Sequence, residues 1–180
     1  MLEKNMKRKK RFSWKITSLF AFAAVSAAVT LSVTHTTVQG NSMQPTLENG
    51  DHLLINRLSY LGTKPERFDV VVFSYQYKTN TYLIKRVIGL PGETVRISED
   101  GIIYVNGNIL IEHYGNDVIA DGGLATKEIV LGDDEYFVLG DNRNDSADSR
   151  EPGVANIKES DIVGKAWLRI WPFGQIGILE

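Results

Sequence analysis

Nineteen consecutive residues without a charge, Ile16 to Thr34, constrain this chain more than any other feature. A membrane-spanning helix needs about 20 predominantly apolar residues. Leu19, Phe20, Phe22, Val25, Val29, Leu31 and Val33 supply the bulk of the run, with Ala, Ser and Thr between them. Ahead of it stand Lys4, Lys7, Arg8, Lys9, Lys10, Arg11 and Lys15 against Glu3, a net +6 within a chain whose total is −2. A basic arm alone can serve nucleic acid. One that runs straight into an apolar segment is better read as a membrane flank, so no nucleic-acid partner is expected. A cleavable signal peptide shares this layout, but its apolar region is usually about 7–15 residues. The expectation is therefore a basic cytoplasmic start over 1–15 and an uncleaved transmembrane anchor over 16–34. By the positive-inside rule, a domain over 38–180 then lies outside the cytoplasm.

That domain has enough residues for a sizeable core. Its pattern is strand-like: His52–Arg57, Phe68–Tyr75, Thr81–Ile88, Thr94–Ser98, Ile102–Val105, Glu128–Leu131, Tyr136–Leu139 and Ile162–Ile170. Turn signals separate these runs. Glu99-Asp100-Gly101 and Asn106-Gly107 read as hairpin turns, because Gly and Asn tolerate the positive φ such turns need. Long 3.6-residue stripes are missing, so an all-β fold with few, short helices follows. Residues 113–127, with Gly115, Gly122 and Gly123, read as a long surface loop.

Three stretches carry candidate chemistry. Gly40-Asn41-Ser42-Met43-Gln44-Pro45-Thr46 places a serine just beyond the apolar run. Lys85 lies in a predicted strand whose alternation puts Leu83 and Val87 on its own face. Burial among apolar neighbours disfavours the ammonium and lowers its pKa. Such a lysine can act as a general base near neutrality. On the strand alone, an edge lysine reaching water is the competing reading. Arg86 points to the other face, toward an ion pair. Gly140 to Arg150 is a polar loop after an apolar strand, fit either for solvent or for positioning a catalytic lysine. Asp141, Asp145 and Asp148 lack the central Gly and terminal Glu of a calcium loop. His35, His52 and His113 form no ligand pattern and there are no cysteines, so disulfides, a thiol nucleophile, a metal and a cofactor are not expected.

In this order and behind an anchor, these stretches resemble the bacterial type I signal peptidases, serine-lysine enzymes that remove signal peptides from exported proteins. The motifs are Ser-Met-x-Pro-Thr at 42–46, Gly50-Asp51, Lys85 through Glu93, and Gly140 through Arg150. The resemblance implies an antiparallel signal-peptidase-type β catalytic domain, with Ser42 as nucleophile and Lys85 as general base. It implies that Ser146 orients the lysine, that Asp148 and Arg150 form a supporting ion pair, and that the Ser42 N–H is one oxyanion donor. Some members carry a hydroxyl two residues before the nucleophile; here Gly40 stands there. Val38, Met43, Leu47, Leu53, Leu83 and Ile84 match positions lining pockets for small residues at the first and third positions before the cut. The implied partners are signal peptides of exported preproteins and the lipid bilayer. The short interval from Lys85 to Gly140 implies a small accessory β-domain, as in the Gram-positive members.

Two rival readings exist. A self-cleaving repressor-type Ser-Lys peptidase would carry a DNA-binding domain and no anchor. A membrane-tethered β module without activity would leave Ser42 and Lys85 as surface residues. Near the C-terminus, Trp171-Pro172-Phe173-Gly174 reads as a loop whose aromatic side chains suit a bilayer interface.

Overall fold

The computed structural model describes residues 32–115 and 117–179. The expected basic start and most of the expected anchor lie outside them. Among the described residues no helix is long and apolar enough to cross a membrane. The chain divides into two compact units, residues 1–34 and 35–180, and the fold below is that of the second, apart from the first two residues of the first strand.

It is all-β. Twelve strands are described: β1 (Val33–Thr37), β2 (His52–Asn56), β3 (Val70–Ser74), β4 (Tyr82–Gly89), β5 (Thr94–Ile97), β6 (Ile103–Val105), β7 (Asn108–Ile109), β8 (Ile129–Val130), β9 (Glu135–Leu139), β10 (Ile157–Lys158), β11 (Ile162–Trp171) and β12 (Gly177–Ile178). The only helical elements among the described residues of this unit are three short 3-10 turns. The large sheet runs β1-β2-β11-β3-β4-β9-β10, with β12 on β11; the small one runs β7-β6-β5-β8. The pairs from β2 through β10 are antiparallel. All eight predicted strands are present with ends shifted by up to two residues. The four additional strands are edge or two-residue pieces, too short or too polar to alternate visibly.

Both predicted hairpin turns form. Gly101 has φ +76°, and Asn106 and Gly107 have φ +51° and +74°. The 113–127 segment is not wholly a surface loop. Ile119 and Ala125 are buried in one core cluster with Val95, Ile97 and Ile103 of the small sheet and Ile88, Phe137 and Leu139 of the large one. Two apolar residues in a glycine-rich stretch carry no periodic signal, yet they cap the space between the sheets.

Two further clusters pack around β3 and β4. Val38, Met43, Leu47, Leu53, Ile55, Val70, Val72 and Ala166 form one, with Ile84 against it. Val71, Phe73, Val87, Tyr136 and Val138 form the other, with Leu83 against it. The alternation of β4 is thus visible in its packing, Leu83 and Val87 on one side and Ile84 on the other.

Candidate active site

Ser42 sits in a tight turn after β1. Gly40 adopts φ +91°, a region that favours glycine, and its N–H donates to Asn49 Oδ1 at 3.0 Å. The Gln44 N–H donates to the Asn41 carbonyl at 3.0 Å and the Leu47 N–H to the Met43 carbonyl at 2.8 Å. Met43 and Leu47 drop into the core on either side of these bonds, so the turn cannot rotate without unpacking. The half-buried Ser42 is left facing β4.

Lys85 meets it there. Its Nζ lies 2.8 Å from Ser42 Oγ and donates to the Ile84 carbonyl at 2.9 Å. The side chain is 3% exposed. Among the described residues no carboxylate contacts the amine, and burial pushes its pKa down to about 8, against the weaker opposing pull of Asp148 and Asp141. A serine hydroxyl and a lysine that readily gives up its proton are the parts of a nucleophile-base pair. The Ser42 N–H donates to no group among the described residues, so it is open to a developing oxyanion.

The loop after β9 closes the site from the other side. Its Asn142 N–H donates to the Ser42 carbonyl at 3.0 Å, and Asn142 Nδ2 to the Asn41 carbonyl at 3.2 Å. Asp148 and Arg150 form a bidentate pair, both bonds 2.8 Å, while Asp148 Oδ2 also accepts the Gly140 N–H at 3.0 Å. Gly140 is required by close approach: a Cβ there would lie 2.2 Å from Ser146 Oγ and 2.4 Å from the Ser42 carbonyl oxygen. Ser146 is therefore brought beside the centre, but the expected bond to Lys85 is not formed. Its buried Oγ has no hydrogen-bond partner among the described residues.

A cleft of about 340 Å³ opens beside the pair. Val38, Met43, Leu83 and Ile84 line it together with Ser42, Lys85, Thr36 and Val72. Leu47 and Leu53, expected as lining, are wholly buried in the cluster beneath and do not reach the cleft wall. Their bulk supports Met43 instead, because a leucine pointing inward from the turn or from β2 has only the core to enter. Gly40 is not part of the wall either.

Sequence reasoning left the deepest polar element without a function. Arg86 and Asp141, both completely buried, form a bidentate pair at 2.9 and 2.8 Å. Thr46 Oγ1 donates to the same carboxylate at 2.6 Å, and Arg86 Nη1 donates to the Phe68 carbonyl at 2.8 Å. The Tyr114 ring stacks 3.6 Å from the guanidinium carbon. One ion pair thus joins the serine turn, β4 and the polar loop. The signal for it was present in Arg86 and in Asp141, but nothing in the sequence joined them. A further ion pair, buried Arg143 with half-buried Glu112 at 2.7 Å, carried no sequence signal. Burial pushes the Glu112 carboxyl up, but Arg143 and the N–H groups of Tyr114 and Gly115 outweigh it and hold it below its usual range.

The sequence pattern of a family described as signal peptidase, peptidase S26, matches residues 11–171. A protein named signal peptidase I from Bacillus caldolyticus is 40% identical over 189 residues, which cover 97% of each chain. A probable signal peptidase I-2 from Synechocystis sp. is 40% identical over 147 residues, 79% of this chain and 65% of that protein. The chain thus spans just under two thirds of that relative. A crystal structure of a signal peptidase I from Enterococcus faecalis V583 is 34% identical and covers 57% of this chain and 97% of that one, with a TM-score of 0.48.

Proposed function

The chain belongs to the signal peptidase family, peptidase S26, and from that membership we propose a mechanism for its removal of signal peptides as a serine endopeptidase. The observation that carries it is the 2.8 Å approach of an amine, partnered by no carboxylate among the described residues, to Ser42 Oγ. Neutral Lys85 takes the hydroxyl proton as Ser42 attacks the scissile carbonyl. The Ser42 N–H stabilises the oxyanion. Lys85 gives its proton to the departing amine, then activates the water that hydrolyses the acyl-enzyme. Ser146 is a positioning residue for Lys85. Hydrogen bonds of this kind are often long without substrate and tighten in the Michaelis complex.

The substrates are signal peptides of exported preproteins, bound extended in the cleft, with small residues at the first and third positions before the cut. Residues 16–34 anchor the enzyme with its catalytic domain outside the cytoplasm. Trp171 and Phe173, in edge-to-face contact at 4.6 Å, stand exposed with Ile176 and Ile178 and suit contact with the bilayer surface. The test is cleavage of a signal-peptide substrate carrying small residues at those two positions, by the full chain and by its Ser42→Ala variant. Cleavage that survives in the variant would refute the assignment.

A further inference from the structure

The cleft continues past the residues needed for the two small-residue pockets. Lys78, Asn80, Thr81 and Tyr82 line its far end. They belong to the β3–β4 hairpin, which is fixed by the Tyr75 N–H to Thr81 carbonyl bond at 2.8 Å and by two further bonds through Lys78, each 3.2 Å. Tyr82 shares a strand face with Ile84, whose cross-strand partner Val72 is also in the wall. The apolar floor made by Ile84 and Val72 is therefore prolonged by the Tyr82 ring, which is 56% exposed. Among the described residues no Asp or Glu lines the cleft. With Lys85 serving as the neutral base, Lys78 supplies its cationic charge, and Lys78 makes no ion pair within the described residues.

Resting on the Ser42–Lys85 reading above, we propose that the β3–β4 hairpin forms an additional specificity subsite, in which Lys78 pairs with an acidic substrate residue about five positions before the cut while Tyr82 supports the peptide beneath it. The length follows from strand geometry. An extended peptide advances about 3.3 Å per residue. From the scissile bond at Lys85 to the level of Tyr82 is three residues along β4, about 10 Å, and the turn holding Lys78 lies one or two residues further. The charge at this subsite is exposed, so it discriminates modestly and its effect is screened by salt.

The experiment uses the full chain in detergent and three peptides that differ only at the fifth position before the cut: Glu, Gln or Lys. Wild type is expected to cleave the Glu peptide about two- to fivefold better than the Lys peptide in kcat/KM at low salt. Lys78→Glu is expected to invert that ratio, and about 0.5 M salt to erase it in both. Binding of the same peptides to the full-length Ser42→Ala protein is followed in parallel by fluorescence anisotropy. Normal cleavage with the same Glu-to-Lys ratio in wild type and Lys78→Glu overturns the subsite and leaves the chemistry standing. A charge preference in binding that Lys78→Glu inverts, with no turnover by wild type, upholds the subsite and sinks the chemistry. Neither turnover nor charge-dependent binding overturns both.

Discussion

Lys85 and Arg86 are neighbours on one strand, equally deprived of water, and the protein does opposite things with them. Arg86 is met by both oxygens of Asp141, by the Phe68 carbonyl and by the Tyr114 ring. A guanidinium does not give up its proton in proteins, so its burial is tolerable only with that full set of partners. Among the described residues Lys85 is met by a hydroxyl and one carbonyl, and no carboxylate contacts it. Its burial is relieved by losing the charge instead, which lowers its pKa to about 8. Burial alone decides neither outcome: the guanidinium keeps its charge and has to be partnered, while the amine, with no carboxylate in contact among the described residues, can shed it. From adjacent positions, one cation ties the serine turn to the polar loop and the other is left with a lowered pKa beside Ser42 Oγ.

The most severe way to break this contrast is to give position 85 the chemistry of position 86. Lys85→Arg should lower kcat by about 10⁴-fold, because a guanidinium cannot act as base. Wild type should show a rate that rises tenfold per pH unit below about 8 and levels above it. A flat profile from pH 5 to 9, or an active arginine variant, rejects Lys85 as the base.

Removing the carboxylate from the other cation comes next. Asp141→Leu strands a buried charge and should cost about 3–5 kcal/mol in denaturant unfolding. Asp141→Asn, which retains an acceptor, should cost less. If both variants unfold like wild type, the pair is not what joins the turn to the loop.

The third test reads the energy kept in Lys85. Its folded-state pKa lies below the ordinary lysine value, so the unfolded chain binds the proton more tightly. The penalty to folding is complete below pH 8 and fades as pH rises toward 10.5. From the ordinary 10.5 to about 8, it amounts to about 3 kcal/mol. Lys85→Met escapes it, so its stability advantage over wild type should shrink by about that much between pH 8 and 10.5. A constant difference across that window would contradict the linkage.

Ser146→Ala carries the smallest effect. Turnover should fall about tenfold while Ser42 still acylates, and stability should change by less than about 1 kcal/mol, since this hydroxyl has no bond to lose. Full activity would remove Ser146 from the positioning role.

The difference between these neighbours also marks how far the chain could be read in advance. Strand alternation gave Lys85 its apolar flanks, because Leu83 and Val87 stand two residues away on either side. The long strands were legible for the same local reason. Arg86 was legible only as one half of an ion pair, since its partner is 55 residues distant and lay among three equally plausible aspartates. Leu47 and Leu53 were misplaced because leucine in a wall and leucine beneath a wall look alike in one dimension. Ile119 and Ala125 went unnoticed because tertiary space, rather than periodicity, recruits them. Glu112 had no signal, for its value depends wholly on where Arg143 arrives in the fold.

Gly140 has a consequence for anyone who would redesign this enzyme. Ser146 Oγ and the Ser42 carbonyl both occupy the space a methyl group would need. The Ser42 backbone and the polar loop therefore meet with no clearance at one point. A library that randomises position 140 should return glycine alone among active clones, while positions 40 and 50, where space for a side chain is open, are limited by their backbone angle instead. The tolerance of the site to engineering is set at that contact, well before the side chain of Ser42 or Lys85 is touched.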